Sequence, residues 1–368
     1  MYLCSVTLTT LWVSNSRGSV SFFKNVILDI TNGRNVGSSL SKNTDKSQLR
    51  LVLLNAHIGS GVTFLGGPLA RQPDVFYFNE PFHKVLEWRY LTGKKLCSYT
   101  KPDCQYMSDM RKRSLDYIED LFNCKLQHHV DKFDDIFHTN TLLAGDSWKN
   151  FRNCRKYTSK TVLQCLHVME DICKASTYRV VKVFRLNSVV VSSLLETLPN
   201  LKIIQIFRDP RSVINNHISA PWYPVPKMNL GRVKDDVRAL CNRLNEDVTE
   251  AINIVKKNPD GFKVVQYEDI FNDVSKIKAV FVFTGLTVTS EIGQLIRTFV
   301  KRYSHRETQH NHHLVFKFRK TLHYSVVKAI EKHCKSAINV LGYKVFRSEI
   351  HMKDPRARSM VGKLPFAV

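Results

Sequence analysis

Leu51-Val52-Leu53-Leu54 is a short continuous apolar run that stops at Asn55 and breaks into a turn carrying Gly59 and Gly61. A run this short, apolar without alternation, predicts a strand buried on both faces, as in a parallel sheet covered by helices. The turn also carries hydroxyls at Ser60 and Thr63. Glycines let backbone amides approach an oxyanion, so the stretch predicts a phosphate-cradling loop. The lysine of the nucleotide-hydrolase pattern G-x-x-x-x-G-K-[ST] is missing, and plain turn chemistry is the competing reading.

The rest of the chain repeats the theme. Val62 to Gln72 predicts a helix, shortened or kinked by Gly66-Gly67-Pro68. Val75 to Phe78 predicts a second strand ending in Asn79-Glu80-Pro81. Lys84 to Lys160 alternates apolar and charged residues at helical spacing and predicts a helical region, broken by a loop near Cys97 to Cys104. Further strands are predicted at Thr177 to Phe184, Leu201 to Phe207 and Phe262 to Tyr267, with helices at Val189 to Thr197 and Asp235 to Lys257. Strands separated by helices predict an α/β fold with a central, mostly parallel sheet flanked by helices. Residues 1–48, rich in Ser, Asn and Gly, predict a poorly ordered arm or the remnant of a targeting segment. The folded domain is expected over 49–346, followed by a basic tail over 347–368.

Charge limits the partners. The formal net charge of +23 on 368 residues implies polyanionic company, and its spread along the chain favours a charged cleft over a basic arm. No basic-aromatic RNA-binding motif or helix-turn-helix is present, so nucleic acid is not expected. The nine cysteines contain no C-x-x-C pair, which argues against a zinc ribbon or redox motif and leaves disulfides and buried thiols both open. No stretch is long and apolar enough to predict a transmembrane helix. His305, His310, His312 and His313 lie among polar residues and predict an exposed turn rather than a metal site.

In open parallel sheets, ligands sit beyond the carboxyl ends of the strands. Three predicted ends carry chemistry: Gly59 to Thr63, Asn79-Glu80, and Arg208-Asp209-Pro210-Arg211. A guanidinium there suits a bidentate phosphate contact. An ion pair between Arg208 and Asp209 is the structural alternative.

Ser60-Gly61-Val62-Thr63-Phe64-Leu65-Gly66, Gln72 to Tyr77, Glu80-Pro81, Phe207 to Val213, Tyr267-Glu268-Asp269 and Leu341-Gly342-Tyr343 stand in the order and spacing of a known family. Together they resemble the carbohydrate 6-O-sulfotransferases, Golgi enzymes acting on N-acetylglucosamine, galactose or N-acetylgalactosamine. The resemblance implies a sulfotransferase-type, P-loop-like nucleotide-binding fold. It also implies transfer of a sulfuryl group from 3′-phosphoadenosine 5′-phosphosulfate (PAPS) to a sugar hydroxyl of a glycan or glycosaminoglycan, without a metal. By the same resemblance Gly59, Ser60, Gly61, Val62, Thr63 and Phe64 wrap the 5′-phosphosulfate, and Arg208 with Asn216 holds the 3′-phosphate. Glu80 is the expected general base, with His83 as the alternative. A membrane-associated location in the Golgi lumen, an anionic acceptor and a nucleotide donor follow from the family, and a homodimer is compatible with it.

Two positions depart from the family pattern. Asn216 stands where a hydroxyl residue is usual, though its amide can still donate. Gly59 stands where the family has an arginine aimed at the leaving phosphate oxygen, a cation that would stabilise charge in the transition state. His57, two residues upstream, is the candidate substitute, and a Lys or Arg from elsewhere is another. The competing readings are a donor- or polyanion-binding relative impaired by Gly59, a nucleotide-dependent phosphotransferase and a non-enzymatic polyanion-binding protein.

Overall fold

The computed structural model describes residues 49–360 apart from 73, 133–146, 222, 224–229, 272, 287 and 305–314. The expected arm over 1–48, the His-rich stretch over 305–313 and the end of the expected basic tail, 361–368, lie outside the described residues.

Strand β1 (Arg50–Ala56) leads through the glycine turn into helix α1 (Val62–Leu69), followed by β2 (Val75–Asn79) and the short α2 (His83–Leu86). Next come β3 (Arg89–Thr92), β4 (Lys95–Ser98) and β5 (Cys104–Tyr106), then α3 (Ser108–Phe122) and α4 (Val162–Ala175). Strands β6 (Tyr178–Val183) and β7 (Leu201–Phe207) precede α5 (Pro210–Ser219) and the long α6 (Leu230–Lys257), and β8 (Phe262–Gln266) completes the sheet.

The main sheet has the order β2-β6-β1-β7-β8, and every pairing in it is parallel. Successive β1 side chains point to opposite faces: Leu51 and Leu53 join one buried cluster, Val52 and Leu54 the other. That double burial is why β1 reads as an unbroken apolar run. Asn55 is the polar exception, donating to Gln205 Oε1 on β7 at 2.7 Å and to the Leu186 carbonyl at 3.1 Å. Its donors are thus satisfied in the sheet interior.

The expected helical region over Lys84 to Lys160 is only partly helical. Residues 89–106 form a second, antiparallel sheet in the order β3-β4-β5. Gly93, at φ 53°, makes the tight β3–β4 turn possible, and the Cys97–Cys104 disulfide joins directly facing residues of β4 and β5. Aromatic and β-branched residues here outweigh the helical charge spacing. Three further disulfides, Cys124–Cys173, Cys154–Cys165 and Cys241–Cys334, tie the helical layers together. Cys4 lies outside the described residues. Residues beyond 346 carry a helix, Glu349–Lys353, against which Arg319 donates to the Met352 carbonyl at 2.7 Å. Among the described residues no helix is long and apolar enough to cross a membrane.

Candidate active site

Because the main sheet is parallel, its carboxyl ends gather at one edge, and β1 at the centre delivers the glycine turn there. Gly59 and Gly61 adopt φ of 86° and 82°, left-handed values that suit glycine. A Cβ on Gly61 would stand 2.2 Å from the Tyr267 ring, so close packing as well as backbone conformation requires glycine there. Helix α1 begins at Val62 with no side-chain cap and no acidic residue in its first turn. The Phe64 amide donates to the Gly61 carbonyl at 2.9 Å, and the start of the helix turns its partly positive end to the loop. Glycine-permitted backbone, an uncapped helix start and the buried Ser60 are the features an anionic phosphosulfate needs.

Arg208 and Asn216 reach this loop from β7 and α5. Arg208 Nη1 and Asn216 Nδ2 both donate to the Gly59 carbonyl, at 3.2 and 2.9 Å. The Arg208 guanidinium also lies over the Tyr267 ring at 4.4 Å, and its buried Nε has no hydrogen-bond partner among the described residues. Asp209 pairs with Arg211 at 2.7 Å, so the structural ion pair of this turn leaves Arg208 to the loop. Glu268 of the Tyr-Glu-Asp triplet accepts from the Asp209 amide at 2.9 Å and from the Tyr343 hydroxyl at 2.8 Å. Three motifs far apart in the chain therefore meet at one carboxylate. Burial, with Asp209 adding to it, lifts Glu268 to about 7 against the pull of Arg208.

Glu80 follows β2 at φ 59°, an uncommon conformation for a residue with a side chain. It is buried, with Oε1 2.7 Å from Arg185 Nη1. Burial raises its pKa, while Arg185 and Lys182 hold part of that rise back. A carboxylate so placed is a stronger base than an exposed one. His83, half-buried in α2, has its pKa lowered by burial first and by Arg185 second. His57 is buried with Nε2 3.0 Å from Asp247 Oδ2 on α6 and its ring stacked on Tyr90. The structure thus gives His57 a carboxylate partner of its own.

Lys182 and Arg185 were absent from the sequence expectations. Lys182 Nζ donates to Thr63 Oγ1 of the loop at 3.3 Å and interacts electrostatically with Glu80. Burial lowers its pKa to about 8, with Glu80 opposing. A second cation in β6, after Arg179, was the signal available. His217 is the other unforeseen neighbour: its Nε2 meets the Ile58 carbonyl at 2.9 Å and its Nδ1 meets Asp236 at 3.1 Å. Its ring also fills the space beside Gly59, with Cδ2 3.3 Å from where a Cβ would stand.

The model of the Sulfotransferase family matches residues 60–290, from the first serine of the loop past the Tyr-Glu-Asp triplet. Carbohydrate sulfotransferase 1 of Rattus norvegicus is 23% identical over 357 residues, covering 86% of this chain and 84% of that protein. Carbohydrate sulfotransferase 5 of Homo sapiens is 23% identical over 353 residues, 82% of this chain and 80% of that one. Carbohydrate sulfotransferase 3 of Tetronarce californica is 28% identical over a shorter stretch of 163 residues, 40% of this chain and 37% of that protein. The family match spans more than half of the chain and contains the loop, Glu80, Lys182 and Arg208 alike, and the chain belongs to the sulfotransferase family.

Proposed function

We propose that the chain moves a sulfuryl group from PAPS to a hydroxyl of a carbohydrate, with the 6-OH of an N-acetylhexosamine or galactose as the expected position. The observation that carries this reading is that Lys182, whose carbonyl holds the Glu80 amide at 2.8 Å, reaches Thr63 of the anion loop with its side chain. The sugar acceptor is supported by the names of the relatives that match along most of their length.

The donor supplies the sulfuryl group and an anionic nucleotide leaving group. Gly59 to Phe64 would hold its 5′ end, through glycine-permitted backbone and the amides of the first turn of α1. Arg208, with Asn216, would hold its 3′-phosphate. Glu80 takes the proton of the acceptor hydroxyl, its basicity raised by burial. Lys182 keeps a positive charge beside Thr63, where charge gathers during transfer, and so supplies what Gly59 lacks. Arg185 fixes the Glu80 carboxylate in place. The four disulfides support an oxidising compartment, and we expect the Golgi lumen.

A second reading has its own observation: a Cβ at Gly59 would stand 3.3 Å from His217, on a backbone at φ 86°, so the usual loop cation fits poorly there. On that reading the protein binds donor and transfers poorly. Binding of 3′,5′-adenosine bisphosphate, together with radiolabelled sulfate transfer onto keratan, chondroitin and N-acetylglucosamine, separates the two. Transfer that disappears in Glu80→Gln supports the first reading, binding without transfer supports the second, and absence of nucleotide binding sinks both.

A further inference from the structure

The antiparallel sheet β3-β4-β5 encloses, with α6, a cavity of about 420 Å³. Lys94, Lys95, Lys101 and Tyr106 line it from the sheet side, Asn242 and Arg243 from the helix. The three lysines are exposed and have no ion-pair partner among the described residues. Tyr106 is 67% exposed, an aromatic face left in solvent at the rim.

Arg243 marks the cavity as more than a basic surface. It is only 3% exposed, and Nη1 donates to the Tyr99 carbonyl at 2.7 Å. Its guanidinium lies over the rings of Tyr99 and Tyr90 at 4.1 and 5.4 Å. Its Nε and Nη2 have no hydrogen-bond partner, and no carboxylate lies within ion-pair distance, among the described residues. A buried guanidinium left this way is costly unless an anion completes it. Glu246, the acidic residue of the lining, is engaged by Thr92 Oγ1 at 2.7 Å.

The groove is joined to the candidate base. Strand β3 is held against the segment after β6 by two backbone bonds, Leu91 N–H to the Arg185 carbonyl at 2.8 Å and Asn187 N–H to the Leu91 carbonyl at 3.0 Å. Arg185 is the residue paired with Glu80. A chain of sugars lying in the groove would thus be held by the same framework that positions the base.

We propose that this groove binds the acidic flank of the acceptor, a sulfated oligosaccharide whose anionic groups meet Lys94, Lys95, Lys101 and Arg243 and one of whose rings rests on Tyr106. The inference rests on the carbohydrate reading above. The apolar C–H face of a pyranose suits an exposed aromatic ring, and the positive lining suits sulfate. The site would select acceptors already carrying acidic groups beyond the sugar being modified.

Calorimetric titration of the full chain tests it, with a sulfated chondroitin hexasaccharide, neutral chitohexaose and a 12-nucleotide single-stranded DNA as probes. The hexasaccharide binds and chitohexaose does not. Combined Lys94→Ala, Lys95→Ala and Lys101→Ala weakens the hexasaccharide by about 10- to 100-fold, the sum of three exposed charge contacts. Thermal melting and affinity for 3′,5′-adenosine bisphosphate stay as in the parent, showing that the fold and donor loop are intact. Unchanged hexasaccharide affinity in the triple variant overturns the proposal while leaving the sulfotransferase reading standing. Equal binding of the DNA, equally weakened in the variant, overturns it in favour of a general polyanion surface. Loss of nucleotide binding in the parent chain strikes the sulfotransferase reading instead.

Discussion

The backbone amide of Glu80 donates to the carbonyl of Lys182 at 2.8 Å, so the candidate base and the candidate cation are fixed to each other at the ends of neighbouring strands. The bond continues the β2–β6 ladder by one residue, beyond the pairing of Asn79 with Lys182. Their side chains then diverge in role. Glu80 meets Arg185, and Lys182 reaches across to Thr63 of the loop. The candidate base and the candidate cation therefore stand on one edge of the sheet, which favours a fixed mutual geometry.

Replacing the base tests the acid–base half. Glu80→Gln keeps the shape of the side chain and a polar contact to Arg185 but removes the proton acceptor. The turnover number for transfer falls by about 10²- to 10⁴-fold. Affinity for 3′,5′-adenosine bisphosphate, measured by calorimetry, remains within a few-fold. Loss of both together would mean that Glu80 holds the site's structure instead.

Lys182 sets the other limb of the pH profile. Its lowered pKa of about 8 means that the ammonium is lost as pH rises through that value. Glu80 must be ionised to act, and its raised pKa moves the rising limb above the usual carboxylate range. Turnover is thus bell-shaped, with a fall above about pH 8. Lys182→Met lowers turnover by about 10²-fold and removes the alkaline limb. A variant that keeps the limb would assign the falling ionisation to another group.

The legible part of this architecture was the main sheet. Strands buried on both faces, such as β1 with its unbroken Leu51 to Leu54, stop abruptly and read clearly even without partners. The antiparallel sheet was hidden because its outward residues, Arg89, Lys94 and Lys95 among them, imitate the charge spacing of a surface helix. In the site, Arg208 and Glu80 were visible as polar residues at strand ends. Lys182 was not, because its function depends on Thr63, 119 positions away, and a cation inside a β-rich run looks like ordinary alternation. His57 shows the same limit: its partner Asp247 comes from a helix far along the chain.

Introducing an arginine at position 59 should harm rather than help. Gly59 has φ 86°, where an L side chain costs about 1–2 kcal/mol. The first atom added would also stand 3.3 Å from His217, itself held by the Ile58 carbonyl and Asp236. Gly59→Arg lowers the melting temperature and does not raise transfer activity. A gain in turnover at unchanged stability would show that the loop can accept the cation and that Lys182 does not replace it.

Glu268 couples the donor side of the site to stability. Its folded pKa of about 7 lies above the ordinary 4.5, so the folded state binds this proton more tightly than the unfolded state. The stabilisation is full below about pH 4.5, where both states are protonated. It is lost as pH rises, because the unfolded chain ionises first, and is gone once pH passes the folded value near 7. The total is on the order of 3 kcal/mol at 1.36 kcal/mol per unit. Glu268→Gln keeps one acceptor oxygen for the Asp209 amide and cannot ionise. Its unfolding free energy relative to the parent therefore rises between pH 5 and 7, as the parent loses what the variant never had. Urea denaturation at half-unit pH steps reads this difference. Parallel curves for the two proteins would place the proton elsewhere in the Asp209, Glu268 and Tyr343 cluster.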